Sequence, residues 1–271
     1  MTVEELEAKS REYRRDILTF IRDAGAGHTG GSLSCTDIIN VLYNHVMNLS
    51  PENWESLDRD FYVQSKGHSV EALYVVLADQ GFFDRSELKT ARELGTKFIG
   101  HPTRKVTGVE QNTGGLGHGL SVSVGLALAA KMDKRPSRVF CLLGDGELAE
   151  GSNWEAAMSA AHYHLDNLTA IVDRNGLQIT GTTEEVNELE PLDEKWRAFG
   201  WSVQQTDGNS VEELARTLDS VPFSVGQPSV LIANTIKGKG VSFMESQVNW
   251  HHHVPTEEEY MRALEELGAR R

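Results

Sequence analysis

The sequence predicts an α/β fold, a parallel sheet flanked by helices on both faces. Three observations lead to it. Short apolar runs recur at residues 139–143, 168–172 and 230–235. Stretches with apolar residues at helical spacing stand between them. Glycine-containing turns fall at the ends of the runs and not inside them. Continuous apolar runs mark strands buried on both faces, and strands separated by helices pair in parallel.

Along the chain, Val3, Leu6, Ile17, Leu18, Phe20 and Ile21 are spaced as in a helix that runs into the glycine-rich AGAGHTGGS. A second helix is expected over 36–46. FYVQS at 61–65 reads as a short strand, followed by SKGHS and a helix over 70–79. The stretch 100–119, GHPTRKVTGVEQNTGGLGHG, has the glycine density of an ordered loop. Small residues over 121–131 form a helix, and VFCLL at 139–143 a buried strand that stops at GDG. A helix over 153–164 follows, with strands over 168–172 (LTAIV) and 201–206. A helix over 211–218, a strand over 230–235 (VLIANT) and an acidic helix from about Thr256 complete the series. No repeat, low-complexity tract or linker interrupts it, so residues 1–271 read as one domain.

A chain of 271 residues can bury roughly three quarters of its unfolded surface, so no disulfide or metal staple is needed. Hydrophobic content of 39% and charged content of 24% are those of an ordinary globular protein. A net charge of -14 argues against general affinity for nucleic acid or anionic membrane. Cys35 and Cys141 are too few for a disulfide framework and wrongly spaced for a metal knuckle; they read as small hydrophobes in a reducing compartment. The N-terminal MTVEELEAKSREYRRDIL lacks the apolar core of a signal peptide, and no run approaches the ~20 apolar residues of a membrane span. A cytoplasmic location is expected.

The sharpest chemical signal begins at Gly144-Asp145-Gly146, where VFCLL ends and GELAEGSNWE runs toward a helix. Glycine lets the backbone approach a ligand closely. The next strand ends at Asp173-Arg174-Asn175-Gly176-Leu177. The thirty residues from Asp145 to Asn175 (175 minus 145) hold one helix and one strand. The two side chains therefore stand at the tips of adjacent parallel strands, where ligands collect in such sheets. A carboxylate, an amide oxygen and a backbone carbonyl, that of Leu177, suit magnesium, calcium or manganese bridging a diphosphate. Alone, GDG is also an ordinary strand-to-helix turn, and Asn175 an ordinary Asx turn.

GDG, EG and N at this spacing resemble the motif of thiamine diphosphate enzymes. AGAGHTGGSLS around His28, SKGHS around His68, GHPTR around His101, TGGLGHG at 114–119 and KGKGVSFMESQVNWH ending at His251 resemble the transketolase series in the same order. The likeness covers essentially the whole chain, but only the N-terminal cofactor domain of a full-length transketolase. The chain is similar to the N-terminal subunit of split transketolases. The resemblance implies a thiamine diphosphate-binding fold and transfer of a two-carbon ketol unit between sugar phosphates. It places His68 and His251 on the diphosphate or substrate, and His28 and His101 on substrate hydroxyls. Backbone groups of Gly114, Leu116 and Gly146 serve the cofactor, with Asn175. It implies a partner with the pyrimidine-binding and C-terminal domains, in an α2β2 assembly, and a chain inactive alone. Glu150 and Glu155 match acidic residues at the subunit boundary, Glu150 as part of a proton relay. Their other reading is helix N-terminal acidity.

For any one histidine a satisfied structural role is the alternative, and His45, His162 and His164, in predicted helices, are read that way. His252 and His253, where glycine usually follows this histidine, are expected to be bystanders. His118 stands where glutamine is common and Gly115 where proline is common, which bears on sugar preference. Two rival enzymes share the cofactor site: the α subunit of a 2-oxoacid dehydrogenase, and deoxyxylulose-phosphate synthase. A non-catalytic regulatory relative is a third alternative.

Overall fold

Helix α1 (Val3–Ala24) starts at a capping box: Thr2 Oγ1 accepts from the Glu5 N–H at 3.3 Å, and Glu5 accepts from the Thr2 N–H at 2.8 Å. It ends at Gly25, whose φ of 64° favours glycine. Its apolar stripe, including Tyr13, Ile17, Leu18 and Ile21, is fully buried. The structure, a computed structural model, describes residues 1–91 and 93–268.

After α1 come α2 (Thr29–Ser34) and α3 (Thr36–Val41), the latter continuing as a wider helical turn, Leu42–Val46. Strand β1 (Phe61–Gln64) and helix α4 (Val70–Asp79) follow. A long loop then leads to α5 (Gly119–Met132), β2 (Val139–Gly144), α6 (Gly151–His162) and β3 (Leu168–Arg174). A small hairpin, β4 (Leu177–Gln178) and β5 (Gly181–Thr182), precedes α7 (Thr183–Val186) and α8 (Leu192–Ala198). Then come β6 (Ser202–Asp207), α9 (Val211–Leu218), β7 (Ser229–Asn234) and α10 (Glu257–Glu266).

Among the described residues, five strands form one sheet in the order β1-β2-β3-β7-β6, and every pairing is parallel. Alternate residues of β2 face opposite layers. Phe140 and Leu142 join a core with α1, α3, α4, α9 and α10, while Val139, Cys141 and Leu143 join one with α5, α6 and α8. Trp196, fully buried, anchors the second layer. Each such large apolar side chain contributes about 1.5–3 kcal/mol relative to exposure.

Strand and helix positions agree with the expected series to within a residue or two at most ends. Three differences stand out. AGAGHTGGS does not merely end α1 but carries its own helix, α2, despite the poor helix propensity of glycine. A Cβ on Gly30 would stand 2.9 Å from the Trp250 carbonyl oxygen, so close packing explains the glycine. His164 lies beyond α6, at φ 53°, with Nδ1 3.2 Å from the Gly226 carbonyl oxygen, and not within a helix as expected. The β4–β5 hairpin, α7 and α8 carry too few periodic residues to be read from sequence.

Candidate functional site

The tips of β2 and β3 form the floor of the site. Gly144 pairs with Asp173 across the two strands, which brings Asp145 beside the Asp173–Leu177 turn. Asp145 Oδ1 accepts from the Gly146 N–H at 2.8 Å, and Oδ2 from the Gly176 N–H at 2.6 Å and Arg174 Nη1 at 3.3 Å. Burial and then the Asp173 charge raise its pKa, against the opposing pull of those N–H groups and Arg174. Asn175 Oδ1 accepts from the Leu177 N–H at 3.1 Å, so the Asx turn is present. The Leu177 carbonyl accepts from Lys237 Nζ at 3.3 Å. Asp145, Asn175 and Leu177 line one cavity of about 200 Å³, together with His28, His68, Gly114, Leu116, Gly146 and His251.

Sequence reasoning missed two lysines on the same cavity. Lys66 (1% exposed) donates to the Gly31 carbonyl at 3.0 Å and pairs with the buried Asp173 carboxylate. Burial is the largest influence and opposes its charge, but Asp173 with Cys35 and Asp145 together outweigh it and the pKa is raised. Asp173 is held in turn by Ser34 Oγ at 2.6 Å and by Thr235. Lys237 (2% exposed) stands 2.8 Å from His251 Nδ1; burial, then the Lys66 charge, pushes it down to about 8. Buried charges are costly unless paired; Lys66 is already paired with Asp173, so it is Lys237, its pKa lowered by burial and by Lys66, that calls for an anion in the cavity. The sequence cue was a lysine set between a strand end and glycines, in SKGHS and KGKG.

Above this floor the histidines converge. The His28 ring lies 5.3 Å from His68, 5.6 Å from His251 and 6.2 Å from His101, centre to centre. His68 and His251 stack at 5.5 Å. Burial and the neighbouring Lys66 charge push His68 well below its usual range; burial, then Lys237, pushes His251 to about 4. Both are neutral near pH 7, each with one donor and one acceptor nitrogen. The His28 N–H donates to buried Glu71 at 3.4 Å, which also accepts from Ser32 Oγ at 2.9 Å.

Backbone geometry sets the rest. Gly114 sits at φ 137°, and a Cβ there would come 2.7 Å from His101 Cδ2. The Gly146 N–H turns onto Asp145, so this residue serves the site by lacking a side chain: its Cβ would stand 3.0 Å from Gln178 Cβ. Glu147, unremarked in the sequence, is a buried clamp. It accepts from Ser65 Oγ at 2.5 Å, the Gly117 N–H at 2.9 Å and the Gly144 N–H at 2.9 Å, and burial raises its pKa.

Some expected residues are elsewhere. Glu150, at the N-cap of α6, and Glu155, on its first turns, are exposed and do not line the cavity. His118 is exposed at the start of α5. His45 lies 3.0 Å from Asp219, and His162 is exposed, both away from the site. His252 is exposed and does not line the cavity, but its ring lies 4.6 Å from that of His28.

An all-oxygen set of one carboxylate, one amide and one carbonyl fits a hard divalent cation, and Lys66 with Lys237 fits a diphosphate. Among the described residues no group of three or more His, Cys, Asp or Glu side chains is arranged to hold a metal, so that site rests on a single carboxylate. The fold and site define a domain that holds an anionic cofactor at the carboxyl ends of a parallel sheet. Residues 12–270 match the family described as transketolase, thiamine diphosphate binding domain. The chain belongs to that family, which sets aside the rival 2-oxoacid dehydrogenase reading, and its counterparts include the N-terminal subunits of split transketolases.

An apulose-4-phosphate transketolase subunit of Phocaeicola vulgatus is 49% identical over 270 residues, covering 100% of this chain and 96% of that one. A 6-deoxy-6-sulfo-D-fructose transketolase subunit of a Clostridium species is 42% identical, covering 97% and 96%. The crystal structure of transketolase from Campylobacter jejuni superimposes with a TM-score of 0.92 at 32% identity. It covers 99% of this chain but 43% of that one, so the chain spans under half the length of that transketolase.

Proposed function

We propose that this chain is the cofactor-binding subunit of a cytoplasmic two-subunit transketolase. It transfers a two-carbon ketol unit from a ketose phosphate to an aldose phosphate. The observation that carries this reading is the convergence of His28, His68, His101 and His251 above a cavity holding Lys66, Lys237, Asp145 and Asn175. Thiamine diphosphate, when bound, supplies the carbanion that adds to the ketose carbonyl. Lys66 and Lys237 neutralise its diphosphate. Asp145, Asn175 and the Leu177 carbonyl hold magnesium, or calcium or manganese, against it. Gly114 and Leu116 form the wall beside it. His28 and His101 bind sugar hydroxyls, and His68 and His251, neutral near pH 7, donate or accept protons there.

Two relatives that match the chain nearly end to end are subunits by name, which supports a partner subunit; the proposal is that it carries the pyrimidine-binding and C-terminal domains, in an α2β2 assembly. Glu150 and Glu155, exposed at the start of α6, then meet another chain, and Glu150 serves proton relay there. The relatives' names also widen the candidate donors to apulose 4-phosphate and to a ketose that carries a sulfonate in place of a phosphate, 6-deoxy-6-sulfofructose. In the two-chain complex, Asp145→Ala or Asn175→Ala abolishes magnesium-dependent thiamine diphosphate binding, measured by calorimetry. His28→Ala and His101→Ala keep that binding and lose at least about tenfold in turnover. Wild-type affinity in the first pair, or wild-type turnover in the second, overturns the assignment.

A further inference from the structure

The imidazole nearest His28 is none of the three that share the cavity's motifs. His252 lies 4.6 Å from it, centre to centre, against 5.3 Å for His68 and 5.6 Å for His251. Its position is built. On one side Trp250 is buried, with its ring 4.4 Å from that of His253. On the other, the His253 carbonyl accepts from Thr29 Oγ1 at 2.5 Å, and Thr29 is the residue after His28. The two loops are thus tied together at the point where the two rings meet.

Burial grades across the cluster. Lys66 and Asp145 are almost wholly buried at the floor, and His28, His68, His101 and His251 are half-buried. His252 is exposed, at the solvent side of the cluster. On the transketolase reading the floor holds the cofactor's diphosphate and the sugar lies among the histidines above it, so a sugar that meets His28 would direct its outer carbons toward the solvent side, where His252 stands. We propose that His252 is a specificity-determining residue that hydrogen-bonds a hydroxyl on the outer carbons of the sugar phosphate. The inference rests on the transketolase reading above. Imidazole matches a hydroxyl, each having donor and acceptor capacity. A site that pairs with a hydroxyl discriminates against sugars that lack it or place it differently.

The test uses the complex of both chains, comparing wild type with His252→Ala and His252→Asn. Two ketose phosphate donors that differ in configuration at an outer carbon serve as probes. For the better donor, kcat/KM falls about tenfold in the alanine variant, the loss expected for one hydrogen bond, and is partly restored by asparagine. The loss for the poorer donor is smaller, and the thiamine diphosphate dissociation constant stays within about twofold of wild type. Unchanged kcat/KM overturns the inference, as does an equal loss on both donors. A loss matched by weaker cofactor binding also overturns it, because that marks a structural role. A wild-type complex without ketol transfer overturns the parent reading, and this one with it.

Discussion

At the residue scale, the site depends on buried charges and polar atoms held by specific partners. Glu147 shows the cost of disturbing one. Its carboxylate accepts from Ser65, Gly117 and Gly144, joining the ends of β1 and β2 to the loop before α5. Glu147→Gln turns one acceptor oxygen into a donor that faces another donor. A loss of about 1–3 kcal/mol in urea unfolding is expected; an unchanged midpoint contradicts the clamp. His251 gives a pH signature. Folded, its pKa is about 4, below the unfolded value of about 6.5. Its stability contribution is present above about pH 6.5 and lost as pH falls toward 4, since the unfolded chain takes up a proton the folded one refuses. His251→Gln should lose less stability between pH 7 and 5 than wild type, measured by thermal unfolding; an identical slope contradicts it.

At the element scale, glycines decide where helices and loops can approach. Gly114, at φ 137°, lies against His101, so Gly114→Ala combines backbone strain with a clash. The expected result in the complex is a fall of about ten- to hundredfold in kcat/KM, together with weaker thiamine diphosphate binding. Equal kcat/KM shows that the loop tolerates a side chain there. The adjacency of Asp145 and Asn175 was legible because one strand–helix–strand unit fixes the spacing and right-handed parallel crossover leaves few alternatives. The histidine cluster was legible through its glycine-flanked motifs. Helix α2 was not, because its glycines answer to packing against the loop at Trp250, two hundred residues away in sequence. Lys66 and Lys237 escaped notice for a related reason. Burial turns a lysine from a surface charge into a ligand-binding cation, and burial at a strand end depends on tertiary structure. The nearness of His252 to His28 was not legible because the two come from opposite ends of the chain.

At the scale of the whole molecule, one parallel sheet carries two apolar layers and presents its functional residues along a single edge. Both cores draw on the same strands, so the positions of Asp145, Lys66 and Asp173 are tied to strand register and not to flexible loops. The histidines converge from segments before β1, after β1, before α5 and after β7, which only the folded sheet brings together. On the proposed reading such a domain would hold a cofactor's diphosphate end and the near part of a sugar, and a second chain would supply the remaining contacts. The central claim is therefore about shared labour between two chains. It is tested most directly by tagging this chain in its own cell and isolating it with its partner. Two-carbon transfer from xylulose 5-phosphate, apulose 4-phosphate and 6-deoxy-6-sulfofructose to ribose 5-phosphate is then measured, with thiamine diphosphate and magnesium, for the pair and for this chain alone. Shared labour predicts transfer by the pair from at least one donor and none by the single chain. Full transfer by this chain alone, or cofactor binding by the pair without transfer from any donor, would contradict it.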